Sequence, residues 1–422
     1  MSRPMTNDET ERGAAAPPEE RLTGGGRLRA LVMLAAAVLL AMSPWFSASA
    51  VTPAISAEWQ LSESQAGWLT LAVQLGFVAG TLISALLSLS DVLSARRLFA
   101  ASAVAGALAN AAFGWFAADF GSGLALRFLT GACLAGVYPP GMKIMATWFR
   151  RGRGLALGVL VGALTLGKAA PYLVNAVGGG AWRANVLSVS LLAVAGGLVV
   201  LLFVSDGPHA LPPARFDLTQ ARRVFRNRGV RLANYGYLGH MWELYAMWTW
   251  TPALLRASFA GRDYPATLAE TGSFLVIGAG AVGCVGAGLL ADRVGRTLVT
   301  SWAMAASGAC CLAVGFLFDA HPAALLALMI VWGATVVADS AQFSSCVTEL
   351  GDPQYLGTAL TIQTCLGFLL TLVSIHLVPV LVRWVGWRYA FAALAPGPAF
   401  GIYSMLKLRR LPEAARIAQG RK

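Results

Sequence analysis

Five charged side chains fall inside long apolar runs of this sequence: Arg127, Lys143, Lys168, Glu243 and Asp339. Charges in such surroundings cost free energy, so they are rare there and are functional by default. Three are positive and two are negative, a balance that favours a small anion over a cation as the partner of this interior. Lys143 stands near the end of its run, where a long side chain can reach water, so we interpret it as mainly structural.

Lys168 is the clearest candidate for binding an anion. It lies well inside its apolar run, and its neighbours Leu166-Gly167 and Ala169-Ala170-Pro171 offer it no partner. A helix weakened by Gly167 and Pro171 also exposes backbone groups at this depth. We therefore predict that the carboxylate or other anionic group of a substrate is the counter-charge of Lys168.

Glu243 is the candidate for carrying a proton. It lies midway along YGYLGHMWELYAMWTW, where His240, Glu243, Met247 and Trp250 follow helical spacing and fall near one face. A carboxylate among aromatic rings could take up and release a proton. The alternative is a purely structural ion pair between Glu243 and either Arg127 or Lys168, which come from the other half of the chain. His240 is either a proton relay or a hydrogen-bonding core residue.

The other interior groups have less specific interpretations. Arg127 either binds an anion or couples to proton movement, or it is a fixed hydrogen-bond hub. Asp339 stands among serines and Gln342, so its segment is expected to face water or another helix. Five more polar side chains complete the predicted cavity: Gln74, Tyr138, Asn175, Tyr245 and Gln363.

The apolar runs that carry these residues have the length of membrane helices. The chain is 57% hydrophobic and only 12% charged, which is too apolar for an ordinary soluble protein. A helix that spans a bilayer needs roughly 20 apolar residues, and about twelve such runs follow one another here. The sequence therefore predicts an all-α membrane protein with about twelve transmembrane helices.

The placement of basic residues predicts the orientation of these helices. With the N-terminus inside, one set of loops holds most of the lysines and arginines. The opposite loops hold only Arg183, Arg256, Arg262, Arg383 and Arg388. Positive loops stay in the cytoplasm, so we expect a multi-pass protein of the inner (cytoplasmic) membrane with both termini cytoplasmic. The net charge of +12 then reflects loops that face anionic lipid rather than nucleic acid.

Composition predicts five regions along the chain. Residues 1–26 form a disordered cytoplasmic tail, 27–204 a six-helix bundle, 205–230 a Pro- and Arg-rich cytoplasmic linker, 231–407 a second six-helix bundle, and 408–422 a basic cytoplasmic tail. The first apolar run, followed by Ala48-Ser49-Ala50, could also be a cleaved signal peptide. Two halves of six helices each require that run, so we predict that it is retained.

Three short internal sequence repeats support two homologous halves. Thr52-Pro53-Ala54 returns as Thr251-Pro252-Ala253, Asp91 as Asp292, and Trp182-Arg183 as Trp387-Arg388, at spacings of 199, 201 and 205 residues. Each pair falls at an equivalent place in the predicted topology. Repeated halves with a site between them are typical of secondary transporters.

The fragment GLLADRVGRTLV lies between two apolar runs and must form a short polar turn. Its defining residues are Gly288, Asp292, Arg293, Gly295 and Arg296. The pattern resembles the conserved cytoplasmic loop of the major facilitator superfamily, a large family of secondary transporters. The corresponding first-half loop, SLSDVLSARRLF, keeps Asp91 but lacks both glycines.

Two further motifs extend the resemblance. RFLTGACLAG, which contains Arg127, resembles the family's arginine motif in the fourth helix. PPGMKIMATWFRRGRGLALG resembles a bacterial branch of nitrate- and cyanate-type anion carriers and monocarboxylate carriers. The resemblance implies two pseudo-symmetric six-helix halves, with a substrate site between them that is exposed to either side in turn.

We therefore expect a secondary active transporter, with proton-coupled uptake of a small organic or inorganic anion as the leading hypothesis. The alternative is a proton-driven exporter of amphipathic compounds, which the aromatic seventh run permits. The sequence holds no GxxxxGK[ST] loop, zinc spacing, GxSxG elbow or Cys–His nucleophile pair, so neither ATP hydrolysis nor enzyme activity is expected. We expect no metal or cofactor, and a monomer in the bilayer whose partners are an anion and protons.

Overall fold

The computed structural model describes residues 24–149, 152–178, 181–209, 225–260, 262, 264–265, 267–352 and 355–422. Most of the predicted N-terminal tail and most of the predicted linker lie outside these residues. The tail's last residues, 24–26, already belong to the first helix. The described chain is built of helices.

Six long helices form the first half. They are α1 (Gly24–Met42, continued through a 3-10 turn Ser43–Phe46 to Ser47–Ala50), α2 (Glu63–Leu86), α3 (Ala95–Phe116), α4 (Phe120–Leu134 and Tyr138–Trp148), α5 (Arg153–Val177) and α6 (Trp182–Phe203). Short helices Thr52–Trp59 and Leu89–Val92 lie in the connections. Pro44 is the second residue of the 3-10 turn that interrupts α1, because proline cannot continue the hydrogen bonding of an α-helix.

Six further helices form the second half. They are α7 (Arg228–Phe259), α8 (Thr267–Val294), α9 (Arg296–Ala313 with a 3-10 turn Val314–Leu317), α10 (Pro322–Val336 and Ser340–Leu350), α11 (the part of Leu356–Ala390 before Gly386) and α12 (from Gly386 through Phe391–Leu394 to Pro396–Arg409). Gly386 has φ +73°, a left-handed conformation that suits glycine and separates α11 from α12.

Length and hydropathy identify ten membrane-spanning stretches among the described residues. One of them, Leu356–Arg409, is 54 residues long and holds both α11 and α12. The helix α7 is not among the ten, because His240, Glu243 and its many Trp and Tyr residues lower its mean hydropathy. Counting these, the chain has the predicted twelve-helix architecture.

The halves meet mainly along two pairs of helices, α5 with α8 and α2 with α11. Glycines allow the first pair to approach closely: a Cβ on Gly158 would lie 2.5 Å from the carbonyl oxygen of Cys284, and one on Gly162 would lie 3.0 Å from that of Ala281. Small residues at such contacts let backbones pack without intervening side chains. Gly158 and Gly162 thus bring the backbones of α5 and α8 together across the interface between the halves.

We call the face that holds the start of α1 and the end of α12 the terminal face, and the opposite one the far face. The predicted C-terminal tail packs on the terminal face, where Ala414 and Ile417 are buried. Its backbone also reaches the loop between α8 and α9, since Thr297 donates a hydrogen bond to the carbonyl of Lys422 at 2.8 Å. Residues 412–420 are therefore an ordered part of the second half.

Candidate substrate site between the two halves

The ammonium of Lys168 lies inside a cage of aromatic rings at the centre of the molecule. Its Nζ is 3.8 Å from the ring centroid of Trp45, 4.6 Å from that of Tyr245 and 5.6 Å from that of Trp248. It also donates a hydrogen bond to the Tyr245 hydroxyl. We call Trp45, Tyr245 and Trp248 the aromatic cage. It joins the halves, because Trp45 belongs to α1 while Tyr245 and Trp248 belong to α7.

No carboxylate pairs with Lys168 among the residues that the structure describes, although the lysine is only 1% exposed. Cation–π contacts offset part of the cost of burying its charge. The indole N–H groups of Trp45 and Trp248 are buried without a hydrogen-bond acceptor in the described chain. The centre therefore presents a positive charge and unused donors together.

A second contact between the halves lies beside the aromatic cage. Thr371 on α11 donates a hydrogen bond to the side-chain oxygen of Gln74 on α2, and the Gln74 amide nitrogen has no acceptor among the described residues. Phe77 and Phe368, on the same two helices, contact each other with ring centroids 4.8 Å apart and planes tilted by 46°, and they also contact Trp45 and Tyr245. Gln74 and Tyr245, both predicted site residues, thus belong with Lys168.

Arg127 does not reach this centre. Its guanidinium donates to the carbonyls of Pro44 at 3.0 Å and Trp45 at 2.5 Å, and to Ser47 and Asn110 at 2.9 Å each. These partners lie on α1 and α3, within the first half. Of the two interpretations given above, the geometry corresponds to the hydrogen-bond hub, which supplies donors to carbonyls freed by the break in α1.

Glu243 points into the second half rather than towards Lys168 or Arg127. Its carboxylate accepts hydrogen bonds from Trp332 at 2.6 Å, Ser307 at 2.9 Å and Cys311 at 3.0 Å. The expected alternative of a cross-half ion pair is absent in this conformation of the described chain. The reason is the direction of the side chain: Tyr245, two residues on, faces Lys168, so Glu243 faces the opposite side of α7.

Arg127 and Glu243 each lie at a junction of three helices, and the two junctions occupy equivalent positions in the two halves. Trp332 on α10 stands 205 residues after Arg127 on α4, the same offset as the repeated Trp-Arg pairs. Each junction joins the first, third and fourth helices of its half, with Arg127 in one and Glu243 in the other. The repeat that the sequence predicts thus extends to buried polar clusters of opposite charge.

His240 and Asp339 lie together in the second half. The Nδ1 atom of His240 is 2.9 Å from Oδ1 of Asp339, and both side chains are 1% exposed. Two further predicted site residues bond within their own halves: Asn175 donates to the carbonyl of Ala50 at 3.1 Å, and Gln363 accepts from Ser344 at 3.2 Å. Tyr138 is half-buried at the start of the second segment of α4.

The polar loop at the terminal face connects the halves. The Asp292 carboxylate lies against the N-terminus of α5, where a Cβ on Gly154 would be 2.4 Å from it. A helix N-terminus stabilises a negative charge. Gly288 packs on the backbone of Gly154, and Gly295 has φ +101° at the start of α9. We interpret this contact as a closure of the terminal face.

The two arginines of this loop differ in their surroundings. Arg296 is 4% exposed and donates to both carboxylate oxygens of Glu349 at 2.8 and 2.9 Å, and to Gln342 at 2.7 Å. Arg293 is exposed. Asp91 falls in the short helix after α2, and its side chain lies outside the described part of the structure.

Sequence reasoning missed three residues of the centre: Trp45, Trp248 and Thr371. Trp248 follows Tyr245 by three positions and so shares its face of α7, a signal that was available. Trp45 follows Pro44, which marks the break in α1 that turns the ring inward. Nothing local marks Thr371, because its partner Gln74 is in the other half.

A cavity of about 140 Å³ opens on the far face between α2, α7 and α11. Its lining includes Gly67, Trp250, His376 and Arg383. The positive charge of Arg383 at this opening would attract anions rather than cations.

Comparison with known proteins agrees with this arrangement. The family model described as "Major Facilitator Superfamily" matches residues 33–375. A solved structure of the proton:xylose symporter XylE, bound to 6-bromo-6-deoxy-D-glucose, superposes with a TM-score of 0.71 over 91% of this chain and 96% of that chain. At 12% identity, that likeness concerns the fold. No curated protein sequence matches this one significantly.

Proposed function

Because the chain belongs to the major facilitator superfamily, whose members are secondary transporters and not enzymes, we propose that it takes up a small anion together with protons by alternating access. Lys168 binds the anion at the aromatic cage, and Glu243 carries the proton. The terminal face is cytoplasmic, and the protein works as a monomer in the inner membrane.

One observation supports the anion above the others: Lys168 is a buried cation without a carboxylate among the described residues. An unpaired buried charge is costly, whereas a substrate anion would compensate it and use the free indole and amide donors nearby. A cationic substrate would meet repulsion from the same lysine. The site therefore fits an acceptor-rich negative group.

The aromatic rings favour an anion with a small apolar body. Trp45, Tyr245 and Trp248 offer apolar contact on several sides of the ammonium. A short monocarboxylate would use both the charge and these surfaces, and compact nitrate or cyanate would use mainly the charge and donors. We therefore propose nitrate, cyanate or a monocarboxylate as the substrate. These are the anions of the bacterial branch that the sequence from Pro139 to Gly158 resembles.

Proton coupling is supported by the position of Glu243 on α7. The same helix holds Tyr245 against Lys168 and Glu243 against α9 and α10. A proton on Glu243 changes a buried charge and so changes the relative stability of the packing around α7. Movement or repacking of α7 would then couple protonation of Glu243 to anion binding at Lys168, although the proton and the anion bind at separate places. The structural neighbour named as a proton:xylose symporter supports the choice of protons.

The test is transport by purified protein in proteoliposomes, with nitrate, cyanate and short monocarboxylates as labelled probes. We expect accumulation that rises when the outside is acidified and that a protonophore abolishes. Extrusion of lipophilic dyes, with no anion uptake, would overturn the proposal in favour of the exporter. Saturable flux and counterflow would separate a carrier from a channel.

A variant isolates the role of Glu243. Glu243→Gln should abolish anion accumulation driven by a pH gradient, while exchange of labelled for unlabelled anion at equal pH continues. Glu413→Gln, which changes an exposed carboxyl near the chain's C-terminal end, is the matched control. If Glu243→Gln accumulates anion normally, Glu243 is not the proton carrier.

A further inference from the structure

The pair formed by His240 and Asp339 is buried without satisfying its polar atoms. Neither oxygen of Asp339 receives an aligned hydrogen bond, and Nε2 of His240 has no partner, among the residues described by the structure. Polar atoms buried to 1% exposure without a hydrogen-bond partner are rare in native proteins. Where they occur, a functional role is one of the established reasons. Nothing in the anion site at Lys168 uses this pair.

The backbone explains why Asp339 lies at this depth. The helix α10 is interrupted between Val336 and Ser340, and Asp339 stands at the start of the segment Ser340–Leu350. Its side chain does not cap that segment, and it points instead to α7 and His240. His240 lies one helical turn before Glu243, so the pair is the next titratable position along α7 from the proposed proton carrier.

Polar groups continue from the pair to the terminal face. Gln342, one turn after Asp339, accepts a hydrogen bond from Arg296 at 2.7 Å. Arg296 in turn binds Glu349, whose side chain is 27% exposed. The row from Glu243 through His240, Asp339 and Gln342 to the Arg296–Glu349 pair runs inside the second half, away from Lys168.

Other titratable groups surround this row. They are Tyr237 on α7, Cys284 on α8, Cys346 on α10 and Cys365 on α11. Lys168 on α5 lies between the halves, and Arg296 is the cation at the terminal end of the row. Within the described chain, Asp339 is thus the carboxylate of this row without a hydrogen-bond donor, and His240 is the base nearest to it.

We propose that His240 and Asp339 form a second protonation site, through which protons leave Glu243 for the terminal face on a route separate from the substrate's. One proton binds as an N–H or O–H bond and is released by breaking that bond, with no change of oxidation state. With the proton, the pair is an imidazolium and a carboxylate, or two neutral groups. Without it, one negative charge is buried beside a neutral ring, which is costly. Loss of the proton therefore favours rearrangement of α7 and α10.

The inference rests on the proposed proton-coupled function, and its test separates the two. Asp339→Asn should lower the initial rate of anion uptake driven by a pH gradient by about 100-fold, the lower part of the range for positioned proton-transfer groups. Counterflow at equal pH and anion affinity should stay at wild-type values. His240→Gln should likewise impair gradient-driven uptake and leave counterflow and anion affinity unchanged. Asp339→Glu, which keeps a carboxylate, should restore part of the gradient-driven uptake.

Asp319→Asn is the matched control, since Asp319 pairs with Arg388 at the far face and is 57% exposed. Gradient-driven accumulation by both Asp339→Asn and His240→Gln at the wild-type level would overturn the second site. So would equal loss of accumulation and counterflow in both variants, which indicates a purely structural pair. If wild-type protein itself shows no acid-driven accumulation, the proposed function fails instead.

Discussion

Replacing Lys168 by methionine should separate substrate binding from folding. Methionine keeps most of the length and apolar volume of the lysine stem but removes the ammonium. The variant loses the contacts of Nζ with Trp45 and Tyr245, worth about 0.5–2 kcal/mol as cation–π interactions. It also removes a buried charge without a carboxylate partner, and replacing such groups by apolar ones is often neutral or stabilises by about 1–4 kcal/mol. We therefore expect the ligand-free protein to melt no lower than the wild type.

Anion binding should respond in the opposite direction. A hydrogen bond to a charged group contributes about 1.5–3 kcal/mol, which corresponds to a rise of about 12- to 150-fold in Kd. At a ligand concentration of 100 times the wild-type Kd, binding stabilises the folded protein by about 2.7 kcal/mol. After a 100-fold weakening, the same concentration stabilises Lys168→Met by only about 0.4 kcal/mol.

Thermal unfolding in detergent, with and without each probe anion, measures both effects. Lys407→Met is the matched control, because Lys407 is exposed at the end of α12 and contacts Tyr403. Lys168→Arg should retain partial binding, since it keeps the charge in a larger group. Equal ligand stabilisation of Lys168→Met and wild type would refute the assignment. A ligand-free variant that melts far lower would refute the argument that no negative charge compensates the buried ammonium of Lys168.

Three further expectations concern packing and the far face. Arg127→Leu should lower the free energy of unfolding by about 3–5 kcal/mol, because backbone carbonyls of α1 lose their donors. Unchanged thermal unfolding would contradict the role of Arg127 as a hydrogen-bond hub. Gly158→Leu would collide with the carbonyl of Cys284 and destabilise the closed terminal face by about 1–3 kcal/mol, seen as reduced uptake at normal expression; wild-type uptake would count against that contact. Hydrogen bonds from Arg183 lower the pKa of Glu58 from 4.5, so this pair stabilises the fold above that pH and the effect is lost as the pH falls through the lowered pKa. Melting temperatures of Glu58→Gln should therefore lose part of the wild type's acid sensitivity, and parallel curves would contradict the pairing.

The number of helices and the division into halves could be predicted because bilayer thickness sets the length of each apolar run. The position of Lys168 at the centre could also be predicted, since its depth follows from its place in α5. The direction of Arg127 and Glu243 could not, because depth does not fix which face of a helix meets the other half. The break in α1 decides the partners of Arg127, and the polar side chains that α9 and α10 direct towards α7 decide those of Glu243. Contacts between distant helices, such as Gln74 with Thr371, leave no local pattern at all.

The two opposite polar junctions have a consequence for how the molecule could be assembled. The hydrogen bonds of Arg127 are satisfied inside the first six helices, and those of Glu243 inside the last six. Each six-helix fragment would therefore enter the membrane with the hydrogen bonds of its own buried charged side chain already formed. A gene cut within the connecting segment, with both fragments co-expressed, should yield two chains that reassociate through the glycine-lined surfaces of α5 and α8.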